Sequence, residues 1–221
     1  MNNRVFKIDK LPAIRRLPAY LHLFRGLSEQ GAKFVSSSYF AEEMQIQSIL
    51  VRKDLELTRI SGTPCVGYSV AALIKGIEEF LGWNENLKAL LVGAGQIGSF
   101  ILGNQNLINV GLKIVAAFDN DPQKIGVSVH GVSVSDSARL EDILRRDQIG
   151  IAILCVPAEE AQQVADMLVA AGIKGIWNFT TTKLIIPEDI ITQQKNLASG
   201  LAVLSAKLTK RTKCNPDSTI P

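Results

Sequence analysis

Ala89-Leu90-Leu91-Val92-Gly93-Ala94-Gly95-Gln96-Ile97-Gly98 is the stretch that decides the fold. Its first four residues read as a buried strand, and a GxGxxG spacing follows at once. Residues 97–107 then carry the apolar spacing of a helix. A second strand over 113–118 ends in Asp119, 21 residues after Gly98. Strand, glycine turn, helix, strand and terminal acid make up a dinucleotide-binding fingerprint. Gly93 permits the tight turn, Gly95 lets a pyrophosphate approach backbone, and Gly98 lets helix pack on strand. Free backbone amides and the helix dipole then suit phosphate. Asp119 is able to take both ribose hydroxyls and repels a 2′-phosphate, which favours NAD(H) over NADP(H). The alternatives are a fold of this kind that binds nothing, or one that binds another nucleotide such as coenzyme A.

Outward from this stretch, β-branched runs at 89–92, 114–118, 129–134, 151–156 and 176–179 alternate with helical patterns at 97–107, 138–146 and 158–171. Near-continuous apolar strands separated by helices imply a parallel sheet covered on both faces. A last helix is expected over 196–210, followed by a disordered tail.

Before residue 84 the period is helical. Leu17, Tyr20, Leu21, Phe24 and Leu27 place one apolar stripe on a helix over 12–30, which Pro18 should kink or restart. Ser36-Ser37-Ser38 supplies an N-cap for a second helix, and Ser48 one for a third over 49–58. Residues 65–70 read as a strand and 71–81 as a further helix. In a helix–turn–helix the third helix would carry Ser48, Arg52 and Lys53 to phosphates or guanine edges. A plain helical bundle with a solvated charge cluster is the alternative.

The 221 residues are 47% hydrophobic and 20% charged, an ordinary globular balance. No apolar run is long enough for a membrane span, and the first residues have no secretory h-region. Residues 1–84 hold 11 Lys and Arg against 8 Asp and Glu, so the whole net charge of +3 lies in the first third. Cys65, Cys155 and Cys214 are an odd set without paired spacing, which argues against disulfide and zinc frameworks and for a reducing cytoplasm.

RLPAYL, VSSSYFAE, QSILVRKDL, VGYSV, VGAGQIGS, AFDNDPQKIG, AILCVP and AAGIKGIWNFTT occur in this order, and over residues 8–211 the chain resembles the Rex family of redox-sensing transcriptional repressors. The resemblance implies an α/β chain in four parts: a winged helix-turn-helix DNA-binding domain (1–84), a Rossmann NAD(H)-binding domain (85–195), a C-terminal helix exchanged between two subunits (196–211) and a tail (212–221). It implies a homodimer on a palindromic double-stranded operator, released by NADH. By position, Ser37, Ser38, Ser48, Arg52, Lys53 and Tyr68 correspond to the DNA-facing set. Gly93, Ala94, Gly95, Gln96, Ile97, Gly98 and Asp119 correspond to the cofactor cradle. Pro157, Asn178 and Thr180 correspond to walls near the nicotinamide.

Three features depart from that pattern. The wing, Gly62-Thr63-Pro64-Cys65-Val66-Gly67-Tyr68, holds no basic residue. Asn104 stands where the family commonly has a cofactor-responsive tyrosine. His22 and Asn196 stand where it commonly pairs an arginine with an aspartate. An intersubunit ion pair lost at both ends implies a weaker link between cofactor and DNA.

The mechanism expected is a population shift between two domain arrangements that NADH and NAD⁺ favour differently. The competing readings are an NAD(H)-binding dimer whose DNA response is weakened or lost, prompted by the bare wing, and an NAD-dependent dehydrogenase, which lacks a base. Neither His22 nor His130 follows a strand that would aim it at a nicotinamide.

Overall fold

The computed structural model describes residues 10–84, 87–147, 149–196 and 198–214. The chain divides into two compact units, Met1–Glu85 and Asn86–Pro221.

In the first unit the stripe on α1 (Leu11–Glu29) is buried as its spacing dictates, with Leu17, Tyr20, Leu21, Phe24 and Leu27 in the core. Pro18 neither breaks nor restarts α1. It lies on the exposed face, where losing one helical hydrogen bond costs least. β1 (Phe34–Val35) precedes α2 (Ser37–Glu43), whose cap is Ser36 accepting from the Tyr39 amide at 3.1 Å. α3 (Ser48–Leu55) is capped by Gln47 without a side-chain bond, so Ser48 is the first helical residue and not the cap. The last turn expected over 56–58 is a tighter 3₁₀ turn, ended by Arg59 at φ 60°. The strand expected over 65–70 shrinks to β2 (Tyr68–Ser69), because Cys65 and Gly67 both take positive φ. β2 pairs antiparallel with β1, and α4 (Val70–Leu81) follows directly. Phe40 at the centre meets Tyr20, Phe24 and Tyr68 edge-on.

The second unit is a seven-stranded sheet of order β5-β6-β4-β3-β7-β8-β9. Its strands are β3 (Leu87–Val92), β4 (Leu112–Asp119), β5 (Ser128–Val129), β6 (Val132–Asp136), β7 (Ile151–Leu154), β8 (Gly175–Asn178) and β9 (Ile191–Gln194). All neighbours are parallel except β5 and β6. The helices are α5 (Gln96–Leu102), α6 (Gln105–Asn109), α7 (Leu140–Asp147), α8 (Ala161–Ala170) and α9 (Ala198–Cys214). One apolar cluster packs α7 and α8 on one face of the sheet, and another packs α5 on the other.

Several expectations need correction. The run 129–134 is a hairpin: His130 and Gly131, at φ 50° and 84°, form the two-residue turn between β5 and β6. The helix expected over 97–107 breaks at Gly103, and α6 restarts under an Asn104 cap. β9 gave no signal because Ile191 is its one apolar residue, Thr192, Gln193 and Gln194 make up the rest, and all four are exposed. The helix expected to stop at 210 continues to Cys214, so residues 212–214 are not tail. Residues 215–221 lie outside the described residues.

Candidate functional site

β3 is flanked by β4 on one side and β7 on the other, so the order in which strands are added reverses there. A crevice beyond the strand ends at such a point is where α/β sheets take ligands. A cavity of about 690 Å³ opens here, lined by Gly93, Gly95, Gln96, Ile97, Asp119 and Pro157 among others.

Its floor is set by two glycines. Gly93 has φ 96°, and a Cβ there would lie 2.5 Å from the Cys155 carbonyl oxygen. The Gly93 amide donates to Phe118 and the Cys155 amide to Val92, each at 2.8 Å, which locks the turn between three strands. A Cβ on Gly98 would lie 2.0 Å from the Gly93 carbonyl oxygen. Only glycine lets α5 start this close to the strand end. Gly95, by contrast, has nothing within 4 Å of its Cβ direction. That open space beside free backbone amides fits a pyrophosphate.

Asp119 is 6% exposed at the end of β4. Its Oδ2 accepts from the Ala94 amide at 2.8 Å and from Lys124 Nζ at 3.2 Å, and its Oδ1 accepts from the Asp121 amide at 3.0 Å. Burial alone would raise its pKa, but the Asp121 amide, Lys124 and the Ala94 amide together hold the carboxyl below its ordinary value. The ionised form therefore braces the turn above the normal carboxylate range, and the bracing is lost as acid titrates the group.

Ala94 is buried and, contrary to expectation, does not face the cavity: its amide is spent on Asp119 and is not free for phosphate. Asn178 and Thr180 are buried and do not line the cavity. Asn178 donates to the Thr182 carbonyl and accepts from the Thr180 amide, while Thr180 Oγ1 accepts from the Thr182 amide. They shape the loop after β8. Residues given no role from the sequence complete the cavity: Asn120, whose amide reaches Glu160 at 3.4 Å, and Lys124, Gln163 and Met167. Cys155 also faces it, and burial pushes its thiol up to about 12. Cys155 is therefore a thiol wall and not a nucleophile. Iodoacetamide at pH 8 should label exposed Cys65 and spare Cys155, as peptide mass spectrometry would record. Comparable labelling of both would refute this.

In the first unit Arg52 and Lys53 are exposed on α3, beside exposed Ser38 and half-buried Ser37 and Ser48. Arg52 Nε donates to Ser37 Oγ at 3.3 Å, which brings α2 and α3 to one polar edge. Tyr68 is only half exposed, with its ring against Phe40 and beneath Gly62. Behind α3, buried Asp54 accepts from Arg16 Nε at 2.7 Å and Nη2 at 2.8 Å and from the Tyr20 hydroxyl at 2.7 Å. This triad was not legible in the sequence. Burial and the hydrogen bond to Asp54 push the Tyr20 hydroxyl pKa up.

No group of three or more His, Cys, Asp and Glu able to hold a metal occurs among the described residues. No helix among them is long and apolar enough to cross a membrane.

Residues 84–182 match the family model "CoA binding domain", and residues 11–56 match "Putative DNA-binding protein N-terminus". The redox-sensing transcriptional repressor Rex of Treponema denticola is 42% identical over 205 residues, 93% of this chain and 98% of the relative. The chain belongs to the Rex family. Solved Rex-family structures are similar over most of its length. RSP in complex with beta-NADH superposes with a TM-score of 0.85 at 32% identity, covering 95% of this chain and 99% of RSP. RSP with beta-NAD⁺ and operator DNA gives 0.84 at 32% identity, covering 95% and 98%. The Rex family is one of regulators, so the dinucleotide fingerprint here sits in a transcription factor.

Proposed function

We propose that this chain is a homodimeric repressor that binds a palindromic operator and is released when NADH fills the cleft at Gly93–Gly98. The observation that carries this is the cleft itself, with its glycine turn, open Gly95 and ionised Asp119. It lies in a chain whose Rex-family relative RSP is crystallised with NADH and with NAD⁺ plus operator DNA. The cofactor supplies the redox difference, since its reduced nicotinamide is neutral and its oxidised one cationic. The chain's own residues bind and orient it. Gly95, Gln96, Ile97 and Gly98 cradle phosphate, Gly93 and Ala94 shape the turn through their amide bonds to Phe118 and Asp119, Asp119 takes ribose, Pro157 walls the cavity, and the Asn178–Thr180 hydrogen bonds hold the adjoining loop.

No catalytic role is assigned. His130 sits in a hairpin turn packed against Gly103, and His22 is exposed on α1. The exposed Leu201, Leu204 and Leu208 share one side of α9, which supports its exchange with a second subunit in the cytoplasm, where operator DNA is. Ser37, Ser38, Ser48, Arg52, Lys53 and Tyr68 form the DNA-facing edge.

The test is DNA selected from a random duplex pool, followed by anisotropy titration with and without NADH. Arg52→Ala should cost about 1–3 kcal/mol of specific binding, and Lys53→Ala should lower the salt slope by about one unit. Wild-type affinity in the double variant would remove α3 from the interface. Asn104 accepts from the Asn106 and Leu107 amides as the α6 cap, a purely local job. NADH should therefore loosen DNA by less than about tenfold, below the upper end of ordinary couplings.

A further inference from the structure

Asp119 has one acceptor site fewer than a ribose diol requires. An ionised carboxylate offers about four lone-pair sites over two oxygens. Oδ2 is filled by the Ala94 amide and Lys124, and Oδ1 is half filled by the Asp121 amide. The Ala94 and Asp121 amides belong to backbone turns and cannot leave without unfolding them. The Asp121 turn is itself closed by the Lys124 and Ile125 amides at 3.0 and 3.2 Å. Lys124 is the one partner able to move. Its side chain is 39% exposed, and its Nζ lies 3.6 Å from Asp121 Oδ2 as well as 3.2 Å from Asp119 Oδ2. It can exchange one carboxylate for the other without losing an ion pair.

We propose that Lys124 sets how strictly this cleft separates NADH from its 2′-phosphorylated counterpart, by competing with ribose for Asp119 and offering a cation to a phosphate. This rests on the cleft's taking a dinucleotide. With Lys124 present, two carboxylates and one ammonium border the ribose end. A hydroxyl must share Asp119 with Lys124, while a 2′-phosphate meets Asp119 and Asp121 partly neutralised. Without Lys124, a diol has both Asp119 oxygens and a 2′-phosphate faces two uncompensated carboxylates. The residue thus relaxes a selectivity that Asp119 alone would impose.

The experiment is calorimetric titration of NADH and NADPH into the full-length dimer and into Lys124→Met, which keeps the alkyl stem. NADPH affinity should fall about tenfold, on the scale of one partly exposed charge pair, while NADH affinity holds or rises. Lys124→Arg should keep the wild-type ratio, and added salt should weaken NADPH binding in the wild type more than in Lys124→Met. An unchanged NADH/NADPH ratio in Lys124→Met would overturn the proposal, as would parallel loss of both affinities, which would mean that Lys124 only holds Asp119 in place. Failure of the wild type to bind either dinucleotide would instead overturn the function on which it rests.

Discussion

Arg16→Ala should destabilise the N-terminal unit by about 3–5 kcal/mol, the range for removing one partner of a buried ion pair. Asp54 lies in the last turn of α3 and is 2% exposed. A carboxylate there is doubly disfavoured, by burial and by the negative end of the helix dipole. Arg16 offsets both with two charge-assisted bonds, a bidentate geometry that lysine could not reproduce. With Arg16 gone, Tyr20 is the remaining donor among those bonds. The loss falls at the low end of the range if water enters beside Arg16, whose side chain is 27% exposed. Because α3 also carries Arg52 and Lys53, DNA affinity should collapse at temperatures where NADH still binds. The check is thermal unfolding followed separately by DNA anisotropy and NADH calorimetry. Replacing all three partners with apolar residues, Arg16→Met and Asp54→Leu with Tyr20→Phe so that no buried hydroxyl is orphaned, should recover most of the stability, since a buried ionic cluster exchanged for packed hydrophobes is often neutral. A single variant that loses under about 1 kcal/mol would show the pair to be as weak as an exposed one.

That triad also marks where sequence stops informing. Arg16 and Asp54 are 38 residues apart, and nothing in either local pattern selects the other. The stripe on α1, the glycine turn and the strand-ending Asp119 were legible because each is a local rule: period, φ freedom, and position relative to a strand. Helix ends were less so. Ser48 had the chemistry of a cap, yet the turn before it let Gln47 occupy that place with its backbone alone. Cys65 and His130 took positive φ in runs whose side chains favour strands, so tertiary turns overrode propensity. Asn178 and Thr180 matched family positions, yet their hydrogen bonds run into the loop rather than the cavity. Lys124 stayed unmarked because its importance lies in filling an acceptor on Asp119, a relation of acceptor sites and not of spacing.

Gly98→Ala should abolish measurable NADH binding, a loss of at least about a hundredfold, or about 2.7 kcal/mol. The new methyl would lie 2.0 Å from the Gly93 carbonyl oxygen and 3.1 Å from Leu91 Cδ2. A side chain could yield, but the first contact is backbone. That backbone is pinned by the Gly93 amide on Phe118 and by Cys155 on Val92. Since β3, β4 and β7 hold the turn, α5 must move instead. It carries the Gln96 and Ile97 amides away from the cleft and loosens Ile101 and Leu102 from the core beneath. Strain of this kind should also lower the stability of the second unit by about 1–3 kcal/mol. Gly95→Ala is the control. Gly95 has φ −75° and open space around it, so its alanine variant should fold as the wild type does. Its methyl would project into the space a pyrophosphate needs, so NADH should weaken without any change in unfolding temperature. Calorimetry and thermal unfolding on both variants separate the two mechanisms. NADH affinity within about threefold of wild type in Gly98→Ala would mean that α5 can shift without cost, and that close helix–strand packing does not build this cradle.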